Sequence, residues 1–200
     1  MNIVNVGYDS TNYYVLADTR PRLLVDVGWP GTLSKLEHQC KRMSVNLADI
    51  KHFLLTHYHP DHAGLAQELK RTGCKLIVME NQVAAIPVLR THMKPQNHYV
   101  DIDLTDNITL KFSESHAFLG GLGIQGQIIP TPGHSEDSVS LVLDEGAAFT
   151  GDLTHPLMVM EDEALRESWM ALRSLGVKTV YPGHGPVWRM DDSRMQLGEL

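Results

Sequence analysis

The residues best equipped for chemistry concentrate in one stretch, Thr56-His57-Tyr58-His59-Pro60-Asp61-His62-Ala63-Gly64, which sets three imidazoles and one carboxylate within six residues. Imidazole nitrogen and carboxylate oxygen are ligands for first-row transition metals, with zinc the default and iron or manganese the alternatives. His57 and His59 stand two apart in a chain leaving a strand, so both side chains can point the same way. Asp61 and His62 are adjacent and diverge. A convergent pair beside a divergent pair suits two neighbouring metal ions better than one. The bland readings are a polar loop that happens to be rich in histidine, or a single structural zinc. A turn has no use for three histidines, and structural zinc favours thiolates, whereas neither cysteine, Cys40 or Cys74, is near.

The elements around the stretch must aim it. The apolar run Phe53-Leu54-Leu55 precedes it and a helix starting near Pro60 or Asp61 follows, so the context reads strand, loop, helix. Ligand sites favour the C-terminal ends of strands in such arrangements. A metal site on this loop needs further ligands, and the same context recurs downstream. Thr131-Pro132-Gly133-His134-Ser135 follows Ile128-Ile129, Thr150-Gly151-Asp152 follows Ala147-Ala148-Phe149, and Tyr181-Pro182-Gly183-His184-Gly185 follows the strand-like stretch from Val177 to Val180. Each is a strand ending in a glycine-containing turn that presents one His or Asp. Glycine permits positive φ and close backbone approach, which lets a ligand reach a crowded point. Any one of these would pass as an ordinary turn; four in one short chain do not.

At these residues the chain resembles the metallo-β-lactamase superfamily. HxHxDH followed in order by TPGHS, GD and PGHG carries the resemblance, which runs from about residue 3 to 188. It implies an α+β fold, a four-layer αβ/βα sandwich, with the site at the edge between two sheets. It also implies that His57, His59 and His134 hold one divalent metal, that Asp61, His62 and His184 hold a second, and that Asp152 bridges them. Asp26, at the end of a strand in Asp26-Val27-Gly28, would stand behind the ligands and orient a histidine; a solvated strand-end acid is the alternative. The local order looks most like the glyoxalase II-type, small-hydrolase branch. Classical lactamases use a cysteine at the second metal, and none lies in these motifs.

Two divalent ions bridged by a carboxylate and a solvent oxygen lower the pKa of that water toward neutrality, and the resulting hydroxide attacks an ester-like carbonyl. Asp152 would position the bridge and Asp61 would accept a hydrogen bond from the water, so these are the two candidate catalytic carboxylates. The expected activity is a metal-dependent hydrolase of a small carbonyl ester, a thioester or lactone. The alternative is an oxidoreductase resembling the mononuclear iron persulfide dioxygenases, which would use His57, His59, His134 and Asp152 around one iron. A flavin-linked diiron reductase fits less well, since that family typically has Glu where this chain has His59. Two departures qualify the glyoxalase II likeness. Glyoxalase II proper adds a C-terminal glutathione-binding helical domain, for which no room is expected after the last motif here, and His62-Ala63-Gly64-Leu65 replaces the usual H-x-G-G.

Composition sets the frame. At 200 residues, 42% hydrophobic and 20% charged, the chain is expected to form one domain over 1–200 with its core over about 3–188. A net charge of −7 argues against a nucleic-acid partner. No run of roughly 18 apolar residues exists to cross a membrane, and Met1-Asn2-Ile3-Val4-Asn5 offers neither a basic start nor a long apolar stretch. The expectation is a cytoplasmic enzyme of a small-molecule substrate with free thiols at Cys40 and Cys74; its oligomeric state is open.

Along the chain, strands are expected at 3–6, 12–17, 22–27, 51–56, 75–79, 108–112, 124–129, 138–143, 147–150 and 177–181. Helices are expected at 32–42, after Pro60 through 65–71, and at 161–175, where Leu165, Trp169 and Leu172 form a buried face. Residues 80–125 are the least legible: 81–92 reads as a helix interrupted by Pro87, and Gly120-Gly121-Leu122-Gly123 as a flexible turn. This region, carrying His92, His98 and His116, is expected to shape the substrate pocket, with the Trp29-Pro30 loop or the surroundings of His155 as the other possible places. Those three histidines and His155 read as loop residues, with substrate contact for the three, and metal contact or a place just behind the ligands for His155, as the sharper alternatives. Residues 189–200 read as a short tail.

Overall fold

Short runs of β-branched and apolar residues become strands here because both faces of each sheet find cover. The structure is a computed structural model that describes residues 1–158 and 162–190. One sheet contains, in order, β1 (Asn2–Asn5), β2 (Tyr14–Ala17), β3 (Pro21–Val25), β4 (His52–Leu54), β5 (Lys75–Met79) and β6 (Ile108–Leu110). Its first three strands form an antiparallel meander, and β3 through β6 run parallel. Parallel neighbours need crossovers. α1 (Leu33–Arg42) supplies one between β3 and β4, and α2 (Pro60–Ala63) with α3 (Ala66–Arg71) supplies the next.

The second sheet comprises β7 (Gly126–Pro130), β8 (Val139–Leu143), β9 (Ala147–Gly151), β10 (Thr179–Pro182) and β11 (Trp188–Arg189), in the spatial order β11-β10-β9-β8-β7. Its neighbours are antiparallel except β9 and β10, which are parallel and joined through α5 (Glu163–Ser174). A further helix, α4 (Phe112–Gly121), connects the two sheets.

Alternation along the strands builds the layers. Phe53 of β4 packs with Leu36 of α1 and Leu69 of α3, whereas its neighbour Leu54 joins Leu16, Val25 and Ile77 against Ile128, Leu141 and Phe149 of the other sheet. On the far side, Leu165, Trp169 and Leu172 of α5 cover Val142, Ala148 and Val180. Helix, sheet, sheet and helix thus stack as the resemblance implied. Strands covered on both faces read as continuous apolar runs, as β5 does with Leu76 to Met79 buried.

Three expectations change. β6 ends at Leu110, and Phe112 opens α4 rather than closing a strand; Gly120 and Gly121 lie in the last turn of that helix, not in a flexible turn. Burial of Leu119 overrides the poor helix propensity of the glycines, and the Glu114 carboxylate accepts the Lys111 N–H at the helix start at 2.8 Å. The 81–92 segment is a set of turns followed by a 3₁₀-helix, Pro87–His92, with Pro87 at its first position rather than interrupting it. Arg189 pairs in β11 instead of starting a tail; residue 161 and residues 191–200 lie outside the described residues. Cys40 and Cys74 are buried free thiols, pushed up by burial to about 11 and about 12 respectively. No helix among the described residues is long and apolar enough to cross a membrane.

Candidate metal centre

Strand direction brings the candidate ligands to one edge. β3 and β4 are parallel, so Asp26 and the His57 loop leave the first sheet on the same side. β7, β9 and β10 share one direction in the second sheet, so His134, Asp152 and His184 leave it together. The two sets of loops are stitched across the gap. Val139 N–H donates to the Thr56 carbonyl at 2.8 Å, and Asn12 N–H to the Gly183 carbonyl at 2.7 Å. The buried Gln82 amide donates to the Asp137 carbonyl at 3.2 Å, and the Asp137 carboxylate accepts the Tyr58 N–H at 2.7 Å.

All seven candidate ligands converge. Three groups each have ligand atoms within 4.8 Å of one another: His57, His59 and His134; Asp61, His62 and His184; and His57, His62 and Asp152. His59 Nδ1 faces His134 Nε2 at 2.9 Å, and His184 Nε2 lies 3.1 Å from Asp61 Oδ2. Asp152 stands between the groups, with Oδ1 3.2 Å from His62 Nε2 and Oδ2 3.4 Å from His184, 3.7 Å from His134 and 3.9 Å from His57. Ligands about 2.1 Å from a tetrahedral zinc are roughly 3.4 Å apart, so this spacing accommodates an ion in each group.

The ring nitrogens facing away from the cluster define which nitrogen faces in. The Ser10 carbonyl lies 2.7 Å from His184 Nδ1 and can only accept, so that nitrogen carries the proton. His62 Nδ1 donates to Asp26 Oδ2 at 2.9 Å. The Thr56 hydroxyl donates to the same carboxylate at 2.9 Å and accepts from His57 Nδ1 at 3.1 Å. Asp26 therefore touches His62 directly and acts on His57 through Thr56, as expected of a residue orienting a histidine. In all three rings Nε2 is the nitrogen turned into the cluster, free to bind a cation once it carries no proton.

Polar atoms without partners test whether the cluster fits metal. His57 Nε2, His62 Nε2 and Asp152 Oδ1 are buried with no hydrogen-bond partner, and burial without a partner is costly for each. These are the atoms that a cation between the groups would satisfy. The glycines fit the same picture. A Cβ on Gly183 would stand 2.5 Å from Asp152 Oδ1 and 2.6 Å from His62 Cε1, so only glycine lets this turn come so close. The protonation pattern is that of a charge-poor cavity beside acids. Burial alone would push His62 down, but the Asp26 and Asp152 carboxylates outweigh it and raise it to about 10. Burial, then repulsion from the surrounding imidazoles, holds His57 well below the usual histidine range. A bound cation would take over the charge of the His62 proton.

Several contributors escaped the sequence reading. Thr11 Oγ1 donates to Asp61 Oδ2 at 3.1 Å, and the Tyr13 hydroxyl to the Asp61 carbonyl at 3.2 Å. Thr56 carried the only local signal, its place before His57. Of the remaining histidines, the His92 ring packs 5.3 Å from that of His59, while His98 has a left-handed backbone at φ 51 and His116 is exposed on α4.

Beside the cluster lies a cleft of about 490 Å³ whose floor includes His134, Asp152 and His184. Its walls are Leu153, His155, Pro186 and Trp188, with none from residues 80–125. This cleft is shaped by the segment around His155, the other place expected for a pocket. From the 80–125 segment the Gln82 amide reaches the Leu55 carbonyl at 2.9 Å and the His92 ring packs against that of His59.

Three comparisons bear on this geometry. The family model described as the metallo-beta-lactamase superfamily matches residues 6–184. An atrochrysone carboxyl ACP thioesterase of Aspergillus fumigatus is 32% identical over 189 residues, covering 88% of this chain and 51% of its own length. A beta-lactamase-like protein 2 homolog of Caenorhabditis elegans is 28% identical over 189 residues, covering 88% of this chain and 56% of its own. The chain thus spans about half the length of the curated relatives it matches. Among solved structures, a metallo-beta-lactamase family protein from Thermus thermophilus superposes with a TM-score of 0.70 at 21% identity, covering 94% of this chain and 74% of its own. That likeness is one of fold.

Proposed function

The chain belongs to the metallo-beta-lactamase superfamily, and from that membership we propose that it is a metal-dependent hydrolase of small carbonyl esters, thioesters or lactones. The observation that carries this reading is the convergence of seven His and Asp side chains in two groups joined through Asp152. An arrangement for a single ion would leave Asp61, His62 and His184 without a task. Zinc is the first choice for both positions, with iron or manganese as alternatives. Two such ions, when bound, supply a nucleophile from solvent at neutral pH and polarise the carbonyl.

The side chains divide the remaining work. His57, His59 and His134 would hold one ion, and Asp61, His62 and His184 the other, with Asp152 shared. His57 and His62 are fully buried, whereas the side chains of His134 and His184 are 29% and 41% exposed, so substrate approaches from their side. Asp61 Oδ2, facing that side, would accept a hydrogen bond from the attacking solvent and orient it. The Thr56 hydroxyl is occupied by Asp26 and His57 and serves to position rather than attack. The overall reaction adds water: a C–O bond forms, the C–S or C–O bond to the leaving group breaks, and a proton from water passes to that group.

The thioesterase name of the Aspergillus relatives favours thioesters among these substrates. The reading takes residues 1–200 as a single catalytic domain acting on a small molecule. The test is a panel of thioesters, lactones, a chromogenic β-lactam and a phosphodiester with zinc-loaded protein. The expected outcome is preference for the first two classes, abolished by His134→Ala. A preference for the phosphodiester or the β-lactam would overturn the substrate assignment.

A further inference from the structure

We infer that the cleft beside the cluster is an acyl subsite that selects an uncharged, apolar acyl group. The inference rests on the hydrolase reading above and names the part of the substrate that reading leaves open. The cleft is continuous with the cluster through His134, Asp152 and His184, so a group lying in it is attached to whatever carbonyl reaches those residues. Its walls are apolar or aromatic, Leu153, Pro186 and Trp188, with His155 between them. About 490 Å³ lies within the range of sites that enclose most of a small organic ligand.

Charge decides the class. Among the described residues, no lysine or arginine lines the cleft. A carboxylate or phosphate at the far end of the acyl group would leave water among the apolar walls, with no lysine or arginine side chain there to receive it. A hydrocarbon or aryl group meets no such penalty.

The walls are held in place before any substrate arrives. The Trp188 ring lies 4.5 Å from that of His155 and 5.6 Å from that of buried Trp169. Trp169 in turn donates its indole N–H to the Thr154 carbonyl at 2.9 Å, pinning the segment that carries His155. The apolar surface also continues outward along both wall segments. Leu157 and Met158, just beyond His155, are 64% and 76% exposed, and Val187, next to Trp188, is 45% exposed.

The test uses zinc-loaded protein over residues 1–200 and N-acetylcysteamine thioesters of acetic, butyric, hexanoic, benzoic and succinic acids. In the wild type, kcat/KM should rise about fourfold per methylene buried, and succinyl should fall well below butyryl. Trp188→Ala and His155→Ala, each verified by melting temperature and zinc content, should lower the hexanoyl-to-acetyl ratio by about tenfold. If one variant fails to fold, the other carries the comparison. Calorimetry with 2-naphthoate against acetate gives a second readout independent of turnover. Measurable turnover with a flat acyl series, or with succinyl preferred, overturns the subsite and leaves the hydrolase standing. No turnover on any thioester, with naphthoate still outbinding acetate in a Trp188-dependent way, overturns the thioesterase reading and leaves the subsite. No turnover and no binding preference overturns both.

Discussion

Asp26 sits at φ 62, in the left-handed region that few residues other than glycine adopt. It holds that backbone while its carboxylate accepts from the Thr56 N–H at 2.7 Å, the Thr56 hydroxyl and His62. Asparagine tolerates the same backbone, so Asp26→Asn isolates the lost charge and the changed hydrogen bonding. It should weaken zinc binding about 10- to 100-fold, measured by competition with a chromophoric chelator; unchanged affinity would mean that Asp26 does not tune the histidines. Gly183→Ala should be harsher, because its methyl would crowd Asp152 and His62. Loss of bound metal is expected with the fold retained by circular dichroism, and full metal retention would sink the idea. At this scale the sequence was legible wherever a ligand carried its own local pattern, as in HxHxDH, TPGHS, GD and PGHG. It was silent about Thr11 and Ser10, which reach Asp61 and His184 from 50 and 174 residues away and lie in a turn that looks like any other.

Among the elements, strand direction matters more than strand length. β4 is three residues and β10 four, yet the segments after them, α2 included, carry five candidate ligands between them, because their C-terminal ends face the same gap. α5 is the covering helix of the second sheet and holds the Trp169 that buttresses the cleft. Its start is capped by Asp162, whose carboxylate accepts the Leu165 N–H at 3.1 Å. Asp162→Ala should therefore cost about 1 kcal/mol, lowering the melting temperature by roughly 2–4 °C without altering metal content. A melting temperature that does not move would show the cap to be idle. The periodic spacing of Leu165, Trp169 and Leu172 made α5 readable in advance. α4 was not, since its apolar residues follow no clear helical period and it ends in two glycines; tertiary burial of Leu119 decides it. The cleft beside the cluster was not legible for a related reason: Leu153, His155 and Trp188 are ordinary residues, gathered by β9, β10 and β11 coming together.

The molecule as a whole is two sheet-and-helix halves joined across a shared apolar layer and, at one edge, by side chains that point at one another. Unpartnered His57 Nε2, His62 Nε2 and Asp152 Oδ1 leave that edge destabilised unless a cation fills it. Metal bound to the native state alone at 100 times its dissociation constant adds about 2.7 kcal/mol. Chelation should then lower the melting temperature by roughly 5–10 °C for a chain of this size, and identical melting curves with and without metal would contradict the link. The order of layers and the gathering of the candidate ligands at one edge were both legible from the motifs and the resemblance they carry, because each motif closes a strand. The central claim, two ions held by two groups sharing Asp152, is tested most directly by the zinc stoichiometry of the purified chain, measured by elemental analysis after equilibration with excess metal and gel filtration. About two equivalents per chain are expected, falling to about one in Asp61→Ala; one equivalent or fewer in the wild type would contradict it.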